Sequence, residues 1–163
     1  MTGAMQKTSA NSKGNRIITC AAKRVLKAMD GFRHRCTAIL DTPEGVLVAA
    51  ESNGVYCLPG GKIEDGETGE EAVVRELLEE TGLEVTKTEF LFQYPGRPAR
   101  LTDGDIVRNM HEVYLVKANG KARPLEEIRS ITTYELAKKA GLPLAIDTEE
   151  IVALAKASSR KPG

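Results

Sequence analysis

The chain has few of the side chains that most often bind soft metals, form disulfides or stack on bases. Its 163 residues include two histidines, three cysteines and no tryptophan, and aromatic residues make up 4%. An odd number of widely spaced cysteines fits neither a disulfide framework nor a zinc site. We therefore expect Cys20, Cys36 and Cys57 to be inert thiols in a reducing compartment, and His34 and His111 to be structural or surface groups. A wide base-stacking surface is not expected.

The chain also lacks an excess of charge and a long apolar run. Lys plus Arg and Asp plus Glu number 23 each, so its overall charge does not favour binding to nucleic acid. No apolar run approaches the length of a transmembrane helix. The 41% apolar residues suffice for one domain with a real hydrophobic core. We expect a cytoplasmic protein that contacts neither membrane nor nucleic acid, and a homodimer is an open alternative.

The start of the chain is basic. Residues 1–29 contain six Lys or Arg and no acidic residue. The apolar stretch Ile17–Ala22 is too short for a signal peptide, although the composition also resembles an organelle transit peptide. The alternative, which we favour, is a disordered tail followed by a short helix near Ala21–Met29. The predicted organisation is then a basic tail with a short helix over 1–30, a single domain over 31–157 and a disordered tail over 158–163.

The order of apolar patterns and turn residues predicts an α+β fold. Two strands, Thr37–Leu40 and Val46–Ala50, flank a turn with Pro43 and Gly45, which is the pattern of a hairpin. The remaining predicted elements are strands at Val55–Leu58, within Glu84–Tyr94, at Ile106–Val116 and at Ile128–Tyr134, a turn at Gly60–Gly61, a loop at Pro95–Asp105, a short helix at Glu135–Ala140, and a last helix from Asp147 or Thr148 to about Ala157.

A central helix is predicted over Gly69–Thr81. Thr68 and Glu71 have the spacing of a capping box, in which each side chain accepts a hydrogen bond from the other residue's backbone. Gly82 supplies a helix stop, because glycine tolerates the left-handed conformation. The side chains expected to pack on a sheet are those of Val73, Val74, Leu77 and Leu78.

The same helix carries three carboxylates on an adjoining side. Glu76, Glu79 and Glu80 fall within about 100° of one another around the helix axis. Like charges at these spacings repel each other, so folding alone gives no reason to gather them. Binding of a divalent cation gives such a reason, because hard cations such as Mg2+ prefer oxygen ligands. The pattern therefore predicts a metal site on this side of the helix.

The stretch from Gly61 to Leu83 resembles the Nudix box. The family pattern is Gly, five residues, Glu, seven residues, Arg-Glu, an aliphatic residue, any residue, Glu-Glu, any residue, Gly and an aliphatic residue. The resemblance implies an α/β/α sandwich on a mixed central sheet. Every specified position is matched in this chain, by Gly61, Glu67, Arg75, Glu76, Leu77, Glu79, Glu80, Gly82 and Leu83.

The resemblance implies a Mg2+ cofactor, for which Mn2+ would substitute. Its ligands would be the carbonyl oxygen of Gly61 and the carboxylates of Glu76, Glu79 and Glu80. Glu76 and Glu80 are the firmest of these ligands by analogy with the family. Glu79 would either bind the metal or orient and deprotonate the attacking water, and the catalytic base differs among family members.

Other residues would support this set. Arg75 is expected to pair with a carboxylate, and Glu67 to tie the preceding loop to the helix. Family members often add a carboxylate from outside the box, for which Glu126 and Glu127 are the candidates and Glu112 is the runner-up.

The resemblance implies a Mg2+-dependent hydrolase that cleaves the phosphoanhydride of a nucleoside diphosphate linked to another moiety. Pro98 stands 15 residues after Leu83, which resembles the ADP-ribose pyrophosphatase subgroup. The expected substrate is a nucleotide sugar such as ADP-ribose, or an oxidised nucleoside triphosphate. The alternatives are a nucleotide sensor without hydrolytic activity and a pyrophosphohydrolase of RNA 5′ ends. The candidates for binding phosphate are Arg33, Arg35, Arg97, Arg100 and Arg108. The candidates for stacking on a base are Tyr56 and Phe92.

Overall fold

The computed structural model describes residues 31–101 and 103–160, so the expectations for residues 1–30 and for the last three residues lie outside it. The described residues from Arg33 onward belong to one compact unit. They form the strands β1 Arg33–Thr42, β2 Gly45–Ala50, β3 Tyr56–Cys57, β4 Gly60–Lys62, β5 Glu84–Pro95, β6 Ala99–Arg100, β7 Ile106–Val107, β8 Asn109–Asn119 and β9 Ser130–Thr133, and the helices α1 Gly69–Thr81, α2 Tyr134–Lys139 and α3 Thr148–Ser159.

A mixed sheet organises these elements. Its main strand order is β3–β2–β1–β8–β5, with β4 paired to β1 and β9 paired to β2. Strands β1 and β8 run parallel, with Ala38 opposite Tyr114, and the other pairs of this sheet are antiparallel. Strands β6 and β7 form a separate two-stranded sheet.

Alternating residues of β1 face two different core layers. Cys36, Ala38 and Leu40 pack in one cluster with Val73 and Leu77 of α1. Ile39 packs in a second cluster, which also contains buried residues of α2 and α3. Because neighbouring side chains of a strand point to opposite faces, the sheet lies between α1 and the other two helices. The α/β/α sandwich expected from the sequence is confirmed.

Helix α1 begins and ends where its capping residues predict. The Glu71 backbone N–H donates to the Thr68 hydroxyl at 3.1 Å, and the Thr68 N–H donates to the Glu71 carboxylate at 2.8 Å. Gly82 follows with φ of 73°, and its N–H donates to the carbonyl of Leu78. The capping box satisfies two backbone N–H groups that would otherwise lack partners at the start of the helix.

The packed side of α1 differs from the predicted one. Val73 and Leu77 are buried, but Val74 is 38% exposed and Leu78 49% exposed. Ala72 and Glu80 are buried instead. Ala72 packs in the same core cluster as Val73 and Leu77, so the helix is rotated toward Ala72 and Glu80 and away from Val74 and Leu78.

The Gly60–Gly61 turn is part of a short strand. In β4, Gly60 lies opposite Thr37 and Gly61 opposite Cys36. Gly60 has φ of 146°, and a Cβ built on it would overlap the carbonyl oxygen of Cys36. A glycine is therefore required for this close pairing with β1. The pairing also sets the backbone of β4 against α1.

Several other boundaries differ from the predicted ones. The strand predicted at Ile106–Val116 is interrupted at Arg108, and β8 continues to Asn119. The predicted loop at Pro95–Asp105 contains β6, which pairs with β7. The strands predicted at Val55–Leu58 and Ile128–Tyr134 are shorter, as β3 and β9.

The helices of the second half also differ at their ends. Helix α2 begins at Tyr134, because the hydroxyl of Thr133 caps it by accepting a hydrogen bond from the Leu136 N–H. Helix α3 continues through Ser159, beyond the predicted end at Ala157, and the hydroxyls of Ser158 and Ser159 bond to carbonyls of its last turns. No helix among the described residues is long and apolar enough to cross a membrane.

Candidate active site

Glu80 is a buried carboxylate held between α1 and β4. Its residue is 7% exposed, and one of its oxygens accepts a hydrogen bond from the Gly60 backbone N–H at 3.3 Å. The rotation of α1 described above brings this side chain inward, and the pairing of β4 with β1 brings the Gly60 N–H to meet it. The fold thus places a carboxylate where water is largely excluded.

Burial raises the pKa of Glu80 to about 8, and the Gly60 hydrogen bond only partly opposes this. The negative charges of Glu76 and Glu127 raise the pKa further, while the positive charge of Arg35 lowers it. The protein therefore leaves the ionised form of Glu80 without full compensation. A bound cation would supply the missing positive charge.

Arg75 organises the other carboxylates of the box. Its guanidinium makes two bonds to Glu67, at 2.7 and 3.0 Å, which join the loop before α1 to the helix. It also contacts Glu76 at 2.8 Å and Glu79 at 3.3 Å, and it donates to the carbonyl of Lys62. Its bonds to Glu67 and Glu76 raise the pKa of Arg75, so the guanidinium stays charged. The contacts expected for Arg75 and Glu67 are present.

Gly61 lies against the Glu76 carboxylate. A Cβ built on Gly61 would overlap the oxygens of Glu76, so a larger residue would displace this carboxylate from β4. The carbonyl oxygen of Gly61 accepts a weak hydrogen bond from the Cys36 thiol at 3.5 Å. The carboxylates of Glu76 and Glu80 therefore lie against β4, Glu76 beside Gly61 and Glu80 beside Gly60.

The box carboxylates do not form a closed cluster. Among residues 31–101 and 103–160, no three His, Cys, Asp or Glu side chains converge as a metal centre. The reason is that Glu76 and Glu79 turn to Arg75, whereas Glu80 turns to Gly60. The donor chemistry nevertheless suits a hard cation, since all of these donors are oxygens and Glu80 lacks a compensating charge. The residues present fit Mg2+ or Mn2+.

The candidates for an extra ligand lie at different ends of α1. The backbone N–H groups of Leu125 and Arg123 donate to the carbonyls of Glu80 and Thr81, which ties the segment before β9 to the end of the helix. Glu127 of that segment is close enough to raise the pKa of Glu80. Glu112 lies instead against Gly69 at the first turn of α1, where it accepts a hydrogen bond from Tyr114 at 2.9 Å. The structure thus favours Glu127 over Glu112, while Glu126 adopts positive φ in the same segment.

A cavity of about 90 Å³ lies between the sheet and the start of α3. Sequence patterns did not reveal it, because its walls come from strands and loops far apart along the chain. Arg35 connects it to the carboxylates, since its charge also lowers the pKa of Glu80. The cavity is lined by Arg35, Thr37, Cys57, Leu58, Asn109, His111, Ala145, Ile146, Asp147, Thr148 and Ile151.

The histidine in this cavity is neutral. Burial and then the charge of Arg35 lower the pKa of His111 to about 4. Its Nδ1 lies 2.9 Å from the hydroxyl of Thr37, and its ring packs edge-on against Tyr94. Burial also raises the pKa of Cys57, and that of Cys36 to about 11, so both thiols stay protonated.

The remaining phosphate-binding and stacking candidates have partners within the fold. Arg97 forms an ion pair with the buried Asp147 at 2.9 Å. The hydroxyl of Tyr56 lies 2.7 Å from that of Ser130, and Tyr56 and Phe92 both pack against the core on the α3 side. The guanidinium groups of the other three contact Asn109 (Arg33), the Gly104 carbonyl (Arg100) and the Gly96 carbonyl (Arg108).

Comparison with known proteins places this geometry in context. Residues 32–154 match the family model described as the NUDIX domain. The chain is 32% identical over 138 residues to an ADP-ribose pyrophosphatase of Methanocaldococcus jannaschii, covering 80% of this chain and 78% of that protein. An 8-oxo-dGTP diphosphatase of Proteus vulgaris is 41% identical over 58 residues, which cover 32% of this chain and 52% of that protein. A crystal structure of a Nudix hydrolase family member from Chromobacterium violaceum aligns with a TM-score of 0.66 at 31% identity, covering 82% of this chain and 83% of that one.

Proposed function

The chain belongs to the Nudix family of pyrophosphohydrolases, and we propose that it hydrolyses the phosphoanhydride of a nucleoside diphosphate linked to another group, with Mg2+ as cofactor. The observation that carries the proposal is Glu80, a buried carboxylate whose pKa is raised to about 8. A buried charge of this kind is expensive unless a partner compensates it. A divalent cation that binds the ionised form would be that partner.

We assign the metal to the carboxylates of Glu76 and Glu80, with the carbonyl oxygen of Gly61 and the carboxylate of Glu127 as further ligands. When bound, Mg2+ supplies charge neutralisation at the pyrophosphate and lowers the pKa of a water ligand. The contact of Glu76 with Arg75 at 2.8 Å orients this carboxylate.

Glu79 is the proposed base. Its side chain is 49% exposed and contacts Arg75 at 3.3 Å, so it is the most accessible of the three box carboxylates. Glu80, at 7% exposure, is assigned to the metal, which leaves the more exposed Glu79 to act on the water. Arg75 would hold Glu79 in place, and Glu67 would hold Arg75, so both act as positioning residues.

The proposed substrates are a nucleotide sugar such as ADP-ribose and an oxidised nucleoside triphosphate such as 8-oxo-dGTP. The first follows from the M. jannaschii relative, which aligns over most of both chains. The second follows from the shorter P. vulgaris match. The complete set of box carboxylates argues against a domain that senses nucleotides without hydrolysing them.

A panel of nucleotides tests this proposal. The purified chain is incubated with ADP-ribose, other nucleotide sugars, 8-oxo-dGTP and unmodified triphosphates, with Mg2+ or with excess chelator, and products are separated by chromatography. We expect a nucleoside monophosphate from at least one of these compounds, and only with metal. Binding without cleavage of any of them would support the sensor alternative instead.

A further inference from the structure

Strand β5 is a long strand at one edge of the sheet. Among the described residues it pairs with β8 on one side, and no other strand of this part of the chain pairs with its outer side. Two register shifts interrupt the pairing with β8, and the regular stretch between them is Lys87–Phe90. An edge of this kind can accept a further strand. Strands β1 and β8 separate it from β4 and the candidate active site.

The charges on this stretch lack complementary partners within the fold. Lys87 lies directly opposite Lys117 of β8, and both are exposed. Like charges that face each other across two strands are destabilising. Glu89, on the same face of β5 as Lys87, is exposed and lies opposite the apolar Leu115. In the part of the chain that the structure describes, neither Lys87 nor Glu89 forms an ion pair. A carboxylate beside Lys87 on an added strand would relieve the repulsion.

The regular stretch also carries an exposed aromatic side chain, that of Phe90. Its ring packs edge-on against Tyr114, which belongs to the core cluster on the α1 side of the sheet. Phe90 therefore lies on the α1 side as well. It is nevertheless 53% exposed, so one face of the ring remains available for packing against another surface.

Helix α1 presents exposed apolar side chains toward the same edge. Glu70 accepts a hydrogen bond from the hydroxyl of Thr88, so this side of α1 faces β5. Val74 and Leu78 follow Glu70 at intervals of four residues and therefore lie on the same side of the helix. Both are exposed and help to line a shallow groove along α1. Apolar side chains gathered beside a strand edge, here Phe90, Val74 and Leu78, are typical of a protein interface.

We propose that a second copy of this chain occupies the edge, with the two β5 strands paired antiparallel about a twofold axis at Thr88. Each residue before the axis then faces the residue equally far after it, so Lys87 of each copy lies opposite Glu89 of the other. The symmetry thus forms each ion pair twice. The carboxylates compensate the positive charge that Lys87 shares with Lys117. The occupant is a second copy because the stretch is complementary in charge to itself.

The same symmetry joins the two apolar surfaces. Because the strands run in opposite directions within one sheet, the axis is perpendicular to the sheet and both α1 helices lie on one face. Helix α1 starts near Thr88 and leads back to the beginning of β5, so it covers the half of the strand before the axis. In the other copy the half after the axis lies beside it, which brings Phe90 of that copy toward Val74 and Leu78.

Charge reversal and a charge swap test this pairing. The mass of the full chain is measured by sedimentation equilibrium over about a hundredfold range of concentration, and we expect a wild-type dimer. Glu89→Lys and Lys87→Glu should each weaken the dimer by about tenfold or more, since attractive cross-strand pairs become repulsive. The double variant Lys87→Glu/Glu89→Lys restores opposite charges across the axis and should restore the dimer. Lys87→Glu also places an acid opposite Lys117, so its weaker dimer would not reflect a weaker fold.

Matched controls separate the interface from general effects. Glu44→Lys makes the same change in net charge at an exposed turn and should dimerise like the wild type. Phe90→Ser should weaken the dimer, whereas Leu154→Ser, at an exposed leucine of α3, should not. Circular dichroism confirms the folding of each variant, and Lys87→Glu carries the test if Glu89→Lys does not fold.

Three outcomes would overturn the proposal. The first is a wild-type chain that stays monomeric at the highest concentration, which would leave the edge to a partner of different sequence. The second is a dimer that both single charge reversals leave intact, which would place the interface elsewhere. The third is a folded double variant that stays monomeric although the single variants lose the dimer, because Lys87 and Glu89 would then not face each other across the axis.

Discussion

Replacing Glu80 by Gln should stabilise the metal-free protein, and increasingly so as the pH rises. The folded protein raises the pKa of Glu80 from 4.5 to about 8. Between these values the folded chain holds a proton that the unfolded chain has released. The contribution of Glu80 to stability therefore falls as the pH rises from about 4.5 to about 8 and is constant above that. Gln does not ionise, so the variant does not lose stability in this pH range. Its side-chain oxygen can still accept the hydrogen bond from the Gly60 N–H.

The size of the effect follows from the shift. One pKa unit corresponds to about 1.4 kcal/mol, so the shift from 4.5 to about 8 destabilises the ionised fold by about 5 kcal/mol. About 3 kcal/mol of this is present near pH 7. For a chain of this length, about 1 kcal/mol moves the melting temperature by about 2–4 °C. Glu80→Gln should thus melt about 10 °C above the wild type near pH 7.

The assay is thermal unfolding in excess chelator, followed by circular dichroism at several pH values between about 5 and 8. Glu79→Gln is the matched control, since the Glu79 side chain is 49% exposed and its pair with Arg75 contributes only about 0.5 kcal/mol. Its difference from the wild type should be small. A difference for Glu80→Gln that stays flat from about pH 5 to about pH 8 would refute the reasoning, because Glu80 would then ionise equally in both states.

Three further variants test the surroundings of the site. Arg75→Lys cannot hold Glu67, Glu76 and Glu79 at once, and we expect kcat to fall by about ten- to a hundredfold with little change in KM; steady-state kinetics showing wild-type kcat would count against a positioning role. Gly61→Ala should weaken Mg2+ binding and lower kcat, because its Cβ would displace the Glu76 carboxylate. Unchanged metal affinity by calorimetry would contradict this. Thr68→Ala should lower the melting temperature by about 2–4 °C through loss of about 1 kcal/mol of capping, and a change below 1 °C would show that the capping box contributes little.

Local signals determined what could be predicted of the fold. The bounds of α1 were predicted from Thr68, Glu71 and Gly82, which act within a few residues of the helix ends. The strand at Gly60–Lys62 was not, because it exists only through pairing with β1, about two dozen residues earlier in the chain. The rotation of α1 was not predicted either, since apolar Val74 and Leu78 satisfy the helical pattern yet face solvent.

The features of the site also divide into those that local sequence predicted and those that depend on the tertiary fold. The spacing of Arg75, Glu76, Glu79 and Glu80 predicted a common location, but their division between Arg75 and Gly60 depends on side-chain contacts that spacing does not encode. Arg35 was a candidate only as one of several arginines. Its partial burial, and the cavity it shares with residues from β8 and the start of α3, arise from the tertiary fold.

The dependence of turnover on metal tests the central claim most directly. Initial rates of nucleoside monophosphate formation are measured with Mg2+ and with excess chelator, for the wild type, for Glu76→Gln/Glu80→Gln and for the exposed control Glu89→Gln. We expect turnover only with Mg2+, a loss in kcat of at least about two orders of magnitude in the double variant, and wild-type rates in the control. Full turnover in excess chelator, or a double variant as active as the wild type, would contradict the assignment of the metal to this helix.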